Sequence, residues 1–317
     1  LSATSEPRPE SGQWAHGPSS ATVTELVRSL ELTISRRLDG VLHGNYQGLT
    51  PGHGSEPGES RPYQPGDDVR RIDWNVTART QETYVREQIA DHDLTAWLVI
   101  DASATMNFGT VNNTKAQTAL AATAAIVFLT ARNQNRVGAV MIAGPDIHVV
   151  PPRAGANQVR AILATLAAPP PSEGLGAADL AGALDRVGAL AKRRGFVAVI
   201  SDFAGTEWSP ALGRLSLRHD LLAVTVHDPR EYDVPPIGLV QMADPATGRH
   251  REVRVTAAVQ RKFIDAAAAK RSTRMDQLAR TGAQIVELST DGDWLGAIVG
   301  HVQRRRTQAV RGGVLTR

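Results

Sequence analysis

The sequence predicts an α/β fold: a doubly wound, mostly parallel sheet with helices on both faces, preceded by a small β-rich N-terminal region and interrupted by an inserted β-hairpin. Three observations carry this expectation. From residue 96 onward, short apolar runs alternate with long helix-like stretches, the rhythm of strands joined by helical crossovers. Trp97, Leu98, Val99 and Ile100 form one such run, suited to a buried strand, and Asp101 ends it abruptly. The alternation breaks at GLVQMADPATGRHREVRV. Two strand-like arms there flank an Asp-Pro-Ala-Thr-Gly turn and read as a hairpin at about residues 237–256.

Taken in order, residues 1–21 are rich in Ser, Pro and Gly and read as a disordered leader without the apolar core of a secretory signal. Residues 22–95 read as an N-terminal helix plus the small β-rich region. Val23, Leu26, Val27, Leu30, Ile34 and Leu38 recur at helical steps until Gly40. A Pro65-Gly66 turn is then expected to lead into a short strand, and TYVREQIADHDL reads as another strand or hairpin arm. Residues 96–306 make up the main unit. Its strands are AWLVID, the pair RVGAVMIAG and IHVVPP, then GFVAVISD, DLLAVTVHD and QIVELS. Its helices begin near TKAQTAL, ANQVRAI, AADLAGAL, SPALGRL, AAVQRKF and DWLGAIV. Residues 307–317 form a basic tail.

Composition narrows the function. The absence of cysteine excludes disulfides, thiol chemistry and cysteine-bound metal centres, and fits a cytoplasmic location. Aromatic residues are 4% of the chain and the net charge is +3, so neither a base-stacking surface nor a strong phosphate-binding field is expected, and no nucleic-acid partner. The basic residues near the C-terminus (Arg304, Arg305, Arg306, Arg311, Arg317) are read as a solvated end. No apolar stretch reaches the length of a membrane span.

Two strands end in acid, Asp101 and Asp202, and both would lie at the carboxyl edge of a doubly wound sheet, where ligands gather. Asp101, Ser103 and Thr105 offer three oxygens from one loop, and Asp202 offers a fourth. Such a set suits Mg²⁺ or Mn²⁺, hard cations that prefer oxygen. Two nearby carboxylates would otherwise repel. On spacing alone, a second reading stands equally: both acids cap helices or bind local backbone N–H groups.

The loop D-x-S-x-T resembles the metal-ion-dependent adhesion site of von Willebrand factor A domains, with Thr105 where serine is usual. In that family a threonine from a middle loop completes the ligands. Its counterpart here is Ala178, beside Asp179, so the resemblance leaves metal binding open, with Asp179 or Ser172 as substitutes. The stretch YQPGDDVRRIDWNVTART, then YVRE, then the D-x-S-x-T loop, resembles the bacterial "domain of unknown function 58" family, and most closely its soluble actinobacterial, especially mycobacterial, members. The resemblance implies a von Willebrand A-like, non-enzymatic interaction module that binds partners through this adhesion-like site, an acidic side chain of the partner completing the metal held by Asp101, Ser103, Thr105 and Asp202. It also implies an adaptor or co-chaperone role for a MoxR-type AAA+ ATPase that acts on a client protein.

In the family stretch, Arg61, Tyr63, Asp67, Asp68, Arg70, Arg71, Asp73, Trp74 and Arg79 are candidate partner-binding residues. Arg and Trp are the residue types that anchor interfaces. The same residues also suit a salt-bridged clamp holding this region to the main unit, and the two readings do not exclude one another. The enzymatic alternative is a metal-dependent phosphoesterase using Asp101 and Asp202. Haloacid-dehalogenase chemistry needs a second Asp where Ser103 stands, and neither a G-x-S-x-G elbow nor a P-loop occurs.

Overall fold

The computed structural model describes residues 28–30, 32–34, 56–64, 67–69, 72–89, 95–111, 113–131, 135–144, 146–167, 178–244 and 247–312. Its centre is a six-stranded sheet built from β3 (Thr95–Asp101), β4 (Arg136–Ala143), β5 (Asp146–Arg153), β6 (Phe196–Ser201), β7 (Asp220–His227) and β10 (Gln284–Ser289). The strand order is β10-β7-β6-β3-β4-β5, parallel except for β5, which pairs antiparallel with β4 at one edge.

The strand alternation sorts the core into two layers. Ala96, Leu98 and Ile100 of β3 face one apolar cluster, and Trp97 and Val99 face the other. Helices α2 (Lys115–Ala131), α3 (Ala156–Ala167) and α7 (Trp294–Gly312) cover the first face. Helices α4 (Leu180–Leu190) and α5 (Trp208–Ser216) cover the second. Ile34, in the helical residues 32–34, is 1% exposed and belongs to the first cluster, so this early segment packs on the main core. The remainder of the helix expected from residue 22 lies outside the described residues. Gly138 is required for packing: a Cβ there would come within 2.9 Å of the Trp97 ring.

The β-rich N-terminal region is the antiparallel pair β1 (Glu56–Pro62) and β2 (Tyr84–Ile89). Between them the expected strand after residue 66 is instead helix α1 (Trp74–Thr80), with Ile72 making only an isolated bridge to Val85. Local hydrogen bonding explains the difference. The Asp73 carboxylate accepts the backbone N–H groups of Asn75 and Val76, an N-cap that starts a helix where the residue pattern is too polar and short to reveal one. The Pro65-Gly66 turn lies outside the described residues.

The hairpin is β8 (Gly238–Ala243) paired with β9 (His250–Val255), as expected. It leads into α6 (Ala257–Arg280), a long helix with only Leu278 buried. The hairpin and most of α6 therefore stand clear of the sheet as an arm. Among the described residues, no helix is long and apolar enough to cross a membrane.

Candidate functional site

The parallel strands β3, β6, β7 and β10 end along one edge of the sheet, and the candidate site is built there. β3 delivers Asp101 as its last residue, and a 3₁₀ turn at Ala104–Asn107 follows. Asp101 is 3% exposed, and both its oxygens are engaged. Oδ1 accepts the Ser103 backbone N–H at 2.9 Å, and Oδ2 accepts the Ser201 hydroxyl at 2.7 Å. The hydroxyls of Ser103 and Thr105 lie 3.1 Å apart. Three of the four expected oxygen donors thus share one corner, and Asp202 arrives beside them at the end of β6.

Asp202 is paired with a residue that the sequence pattern did not single out. Lys115, the first residue of α2, is 2% exposed. Its Nζ donates to Asp202 Oδ2 at 2.8 Å and to Glu231 Oε1 at 2.5 Å. The other Asp202 oxygen accepts the backbone N–H of Ala204 at 2.9 Å. Phe203, between them, holds a left-handed conformation (φ 50°), fixed by edge-on packing against Trp208 at 5.1 Å. Glu231 Oε2 in turn accepts the backbone N–H of Asp228 at 3.1 Å. A continuous chain therefore runs from Asp202 through Lys115 and Glu231 to Asp228.

Asp228 is fully buried and ties three loops together. It accepts hydrogen bonds from the Thr110 hydroxyl and N–H, the Thr290 hydroxyl and the Arg230 N–H. Gly109 lets the first of these loops close, since a Cβ there would meet the Asn113 carbonyl oxygen at 2.4 Å.

Electrostatics separate the two strand-end acids. Burial first, and the Asp202 charge second, push the Asp101 carboxyl above its ordinary value of 3.8, against the lowering hydrogen bonds from Ser103 and Ser201. Burial acts to depress Lys115. The charges and hydrogen bonds of Asp202 and Glu231 outweigh it and hold the ammonium above 10.5. For Asp228, burial acts upward, but the bonds from Thr110, Thr290 and Arg230 prevail and lower it below 3.8.

These residues fit a divalent cation poorly. Asp202 is already paired with an ammonium, and a second cation beside Lys115 would be repelled. The Ala178 position supplies no side-chain oxygen. Asp179 caps α4 by accepting the Gly182 N–H at 2.8 Å. Ser172 lies outside the described residues. Among the described residues, no group of three or more His, Cys, Asp or Glu side chains could hold a metal ion.

The second set of candidates surrounds α1. Asp73 is buried, and besides capping α1 it accepts the Ser60 hydroxyl at 2.8 Å. Asp67 accepts the Gln64 backbone N–H, and the Tyr63 N–H donates to the Thr83 carbonyl at 2.7 Å. Asp68 and Arg79 are exposed, and Trp74 is 70% exposed. Arg61 belongs to β1, whereas Arg70 and Arg71 lie outside the described residues. Asp67 and Asp73 therefore hold the local fold with their side chains and Tyr63 with its backbone N–H, while Val69 and Trp74 are each left exposed.

A groove of about 1280 Å³ extends from Lys115 and Asp202 to the arm. Val240 and Met242 of β8, with Phe263 of α6, give it an apolar wall. Arg274 of α6 anchors the arm, donating to the Asp202 carbonyl at 3.0 Å and to the Tyr232 hydroxyl at 2.6 Å. Five cationic side chains line the groove (Lys115, Arg230, Lys270, Arg271, Arg274), against the two carboxylates Asp202 and Glu231.

Sequence reasoning missed Lys115, Ser201, Glu231 and Asp228. Lys115 carried a readable signal. It opens a helix with 13 of 17 residues buried, and a cation there opposes the helix dipole, so it needs acids nearby. Asp228 and Glu231 carried a signal too, since Asp228-Pro229-Arg230-Glu231 is a capping box with proline at its first position, whereas Ser201 lacked one, because its partner Asp101 lies 100 residues away.

Sheet order, helices on both faces and the Asp-x-Ser-x-Thr loop at the carboxyl edge define an α/β protein with a doubly wound, mostly parallel sheet. The chain belongs to the family described as "Protein of unknown function DUF58", whose model matches residues 59–274. It is 45% identical over 287 residues to "Uncharacterized protein Rv1480" of Mycobacterium tuberculosis (strain ATCC 25618 / H37Rv), covering 90% of each chain. It is 38% identical over 164 residues to "Uncharacterized protein MAV169" of Mycobacterium avium, covering 51% of this chain and 97% of that one. Among solved structures it is similar to the conserved hypothetical protein BatB from Bacteroides thetaiotaomicron, with TM-score 0.42, 12% identity, and 68% and 99% of the two chains covered. It is also similar to the SpRpn10 VWA domain, with TM-score 0.37, 14% identity, and 67% and 94% covered.

Proposed function

We propose that this chain is a non-enzymatic protein-interaction module that takes a partner segment in the groove between the carboxyl edge and the arm. The observation that carries this reading is the groove itself, with an apolar wall at the arm and an excess of cations over carboxylates in its lining. That lining suits a segment carrying both apolar and acidic side chains. The partner class is the MoxR-type AAA+ ATPase implied by the family resemblance, with this chain as its adaptor or co-chaperone and the cytoplasm as the shared location. Trp74 and Val69 supply a second exposed contact surface.

The test is capture of the cognate ATPase by the full-length chain, beside Met242→Asp and Phe263→Asp. Capture by the wild type over an unrelated AAA+ protein, lost in both variants, is the expected result. Equal capture by all three proteins would sink the groove as the docking site. Turnover of a generic phosphoester, dependent on Asp101, would overturn the non-enzymatic reading.

A further inference from the structure

We infer that the ammonium of Lys115 is the resident cation of the carboxyl-edge site, and that it excludes a divalent metal from the Asp101, Ser103, Thr105 and Asp202 cluster. The inference stands apart from the partner reading, since it concerns only what balances the buried carboxylates.

Three features of the site support it. Paired carboxylates at a strand edge need a positive charge between or beside them, and the Lys115 Nζ is in hydrogen-bond contact with both Asp202 and Glu231. The ammonium is enclosed, with side-chain exposure of 2% for Lys115 and 7% for Asp202, so it cannot swing into solvent without opening the site. Its stem leaves the first turn of α2, a helix buried on nearly every side, which fixes the charge in place. A metal entering the same corner would have to take Asp202 from Lys115 and would then lie against an enclosed positive charge. The remaining donors are Asp101, with both oxygens already bonded, and two hydroxyls. An internal cation also has a consequence for binding. The oxygens of this corner are held in place without any ion from solution, so the adjoining groove keeps its shape in the presence of a chelator.

The experiment is Mn²⁺ titration of the full-length chain after exhaustive chelation, read by electron paramagnetic resonance and by thermal unfolding. Wild type, Lys115→Ala, Lys115→Arg and Asp101→Asn are compared. The wild type and Lys115→Arg are expected to show no saturable Mn²⁺ site at millimolar metal and no change in melting temperature. Lys115→Ala is expected to gain a site, with a melting temperature that climbs with Mn²⁺ as mass action requires. If Lys115→Ala does not fold in chelator, recovery of the fold in Mn²⁺ supports the inference, and no recovery counts against it. Saturable wild-type binding that Asp101→Asn abolishes would overturn the inference outright. Equal indifference of a folded Lys115→Ala and Lys115→Arg to Mn²⁺ would show that the oxygen missing at Ala178, rather than Lys115, keeps metal out.

Discussion

The carboxyl-edge cluster and the region around α1 both carry dense polar motifs, yet they use them in opposite ways. At the carboxyl edge the charges turn inward. Asp101, Lys115, Asp202 and Asp228 are all buried, and each is hydrogen-bonded to other parts of the chain. Around α1 one acid, Asp73, turns inward to hold the helix, while Trp74 is left 70% exposed beside it. A motif dense in charge can thus be internal scaffolding, whereas an aromatic residue exposed on a short, well-capped helix is a surface in search of a contact. Substitutions at the carboxyl edge should act on stability, and those at the α1 surface on binding.

The sharpest way to break this contrast is Lys115→Met. Removing one partner of a buried charge pair leaves the others uncompensated and should cost about 3–5 kcal/mol in chemical denaturation. A loss no larger than that of a surface substitution would mean that water already reaches the cluster. Next in size is Asp228→Ala, which strands the hydroxyls of Thr110 and Thr290 and should cost about 3 kcal/mol. Its pH dependence follows from the lowered folded value. The Asp228 contribution is fully present above 3.8 and is lost as pH falls through the folded value, so wild type and variant should converge in strong acid.

Asp73→Ala removes the α1 cap and should cost about 0.5–2 kcal/mol, with hydrogen exchange rising first within residues 74–80. Asp101→Asn tests the electrostatics with the opposite sign. Because the folded value of Asp101 is raised, ionising it opposes folding, and stability falls as pH rises from 3.8 through the folded value. Asn keeps an acceptor for the Ser103 N–H without the charge. The variant should therefore match or exceed wild-type stability at neutral pH and lose that advantage in acid. Marked destabilisation at neutral pH would mean that the ionised Asp101 is itself paired with a cation. The smallest expected effect is Trp74→Ala, within about 0.5 kcal/mol in stability, while weakening ATPase capture if the α1 surface is a contact. A large stability loss there would place Trp74 in the scaffold and erase the contrast.

Much of the fold is legible in the amino-acid pattern. The apolar runs of β3 and β6, the antiparallel edge pair β4–β5 and the β8–β9 hairpin all follow from local pattern and turn chemistry. Helix α1 is not legible, because seven polar-rich residues carry no period, and it is a side-chain cap that selects the helix. At the site, the strand-end position of Asp101 and Asp202 can be read directly, since a charge that terminates an apolar strand must lie at its tip. The pairings that reach them from distant loops cannot.

The amino-acid pattern was enough to place the strands and helices of the main unit, the mostly parallel order of its sheet and the acids at its carboxyl edge. Apolar periodicity is local, and a run of a few residues suffices to state it. What faces those acids follows from the packing of the whole chain. Lys115 meets Asp202 across 87 residues and Glu231 across 116, and Thr110 meets Asp228 across 118. Such pairings arise when crossover helices bring distant loops to one sheet edge. Which charge then balances a buried carboxylate is set by that packing, because no local pattern encodes it.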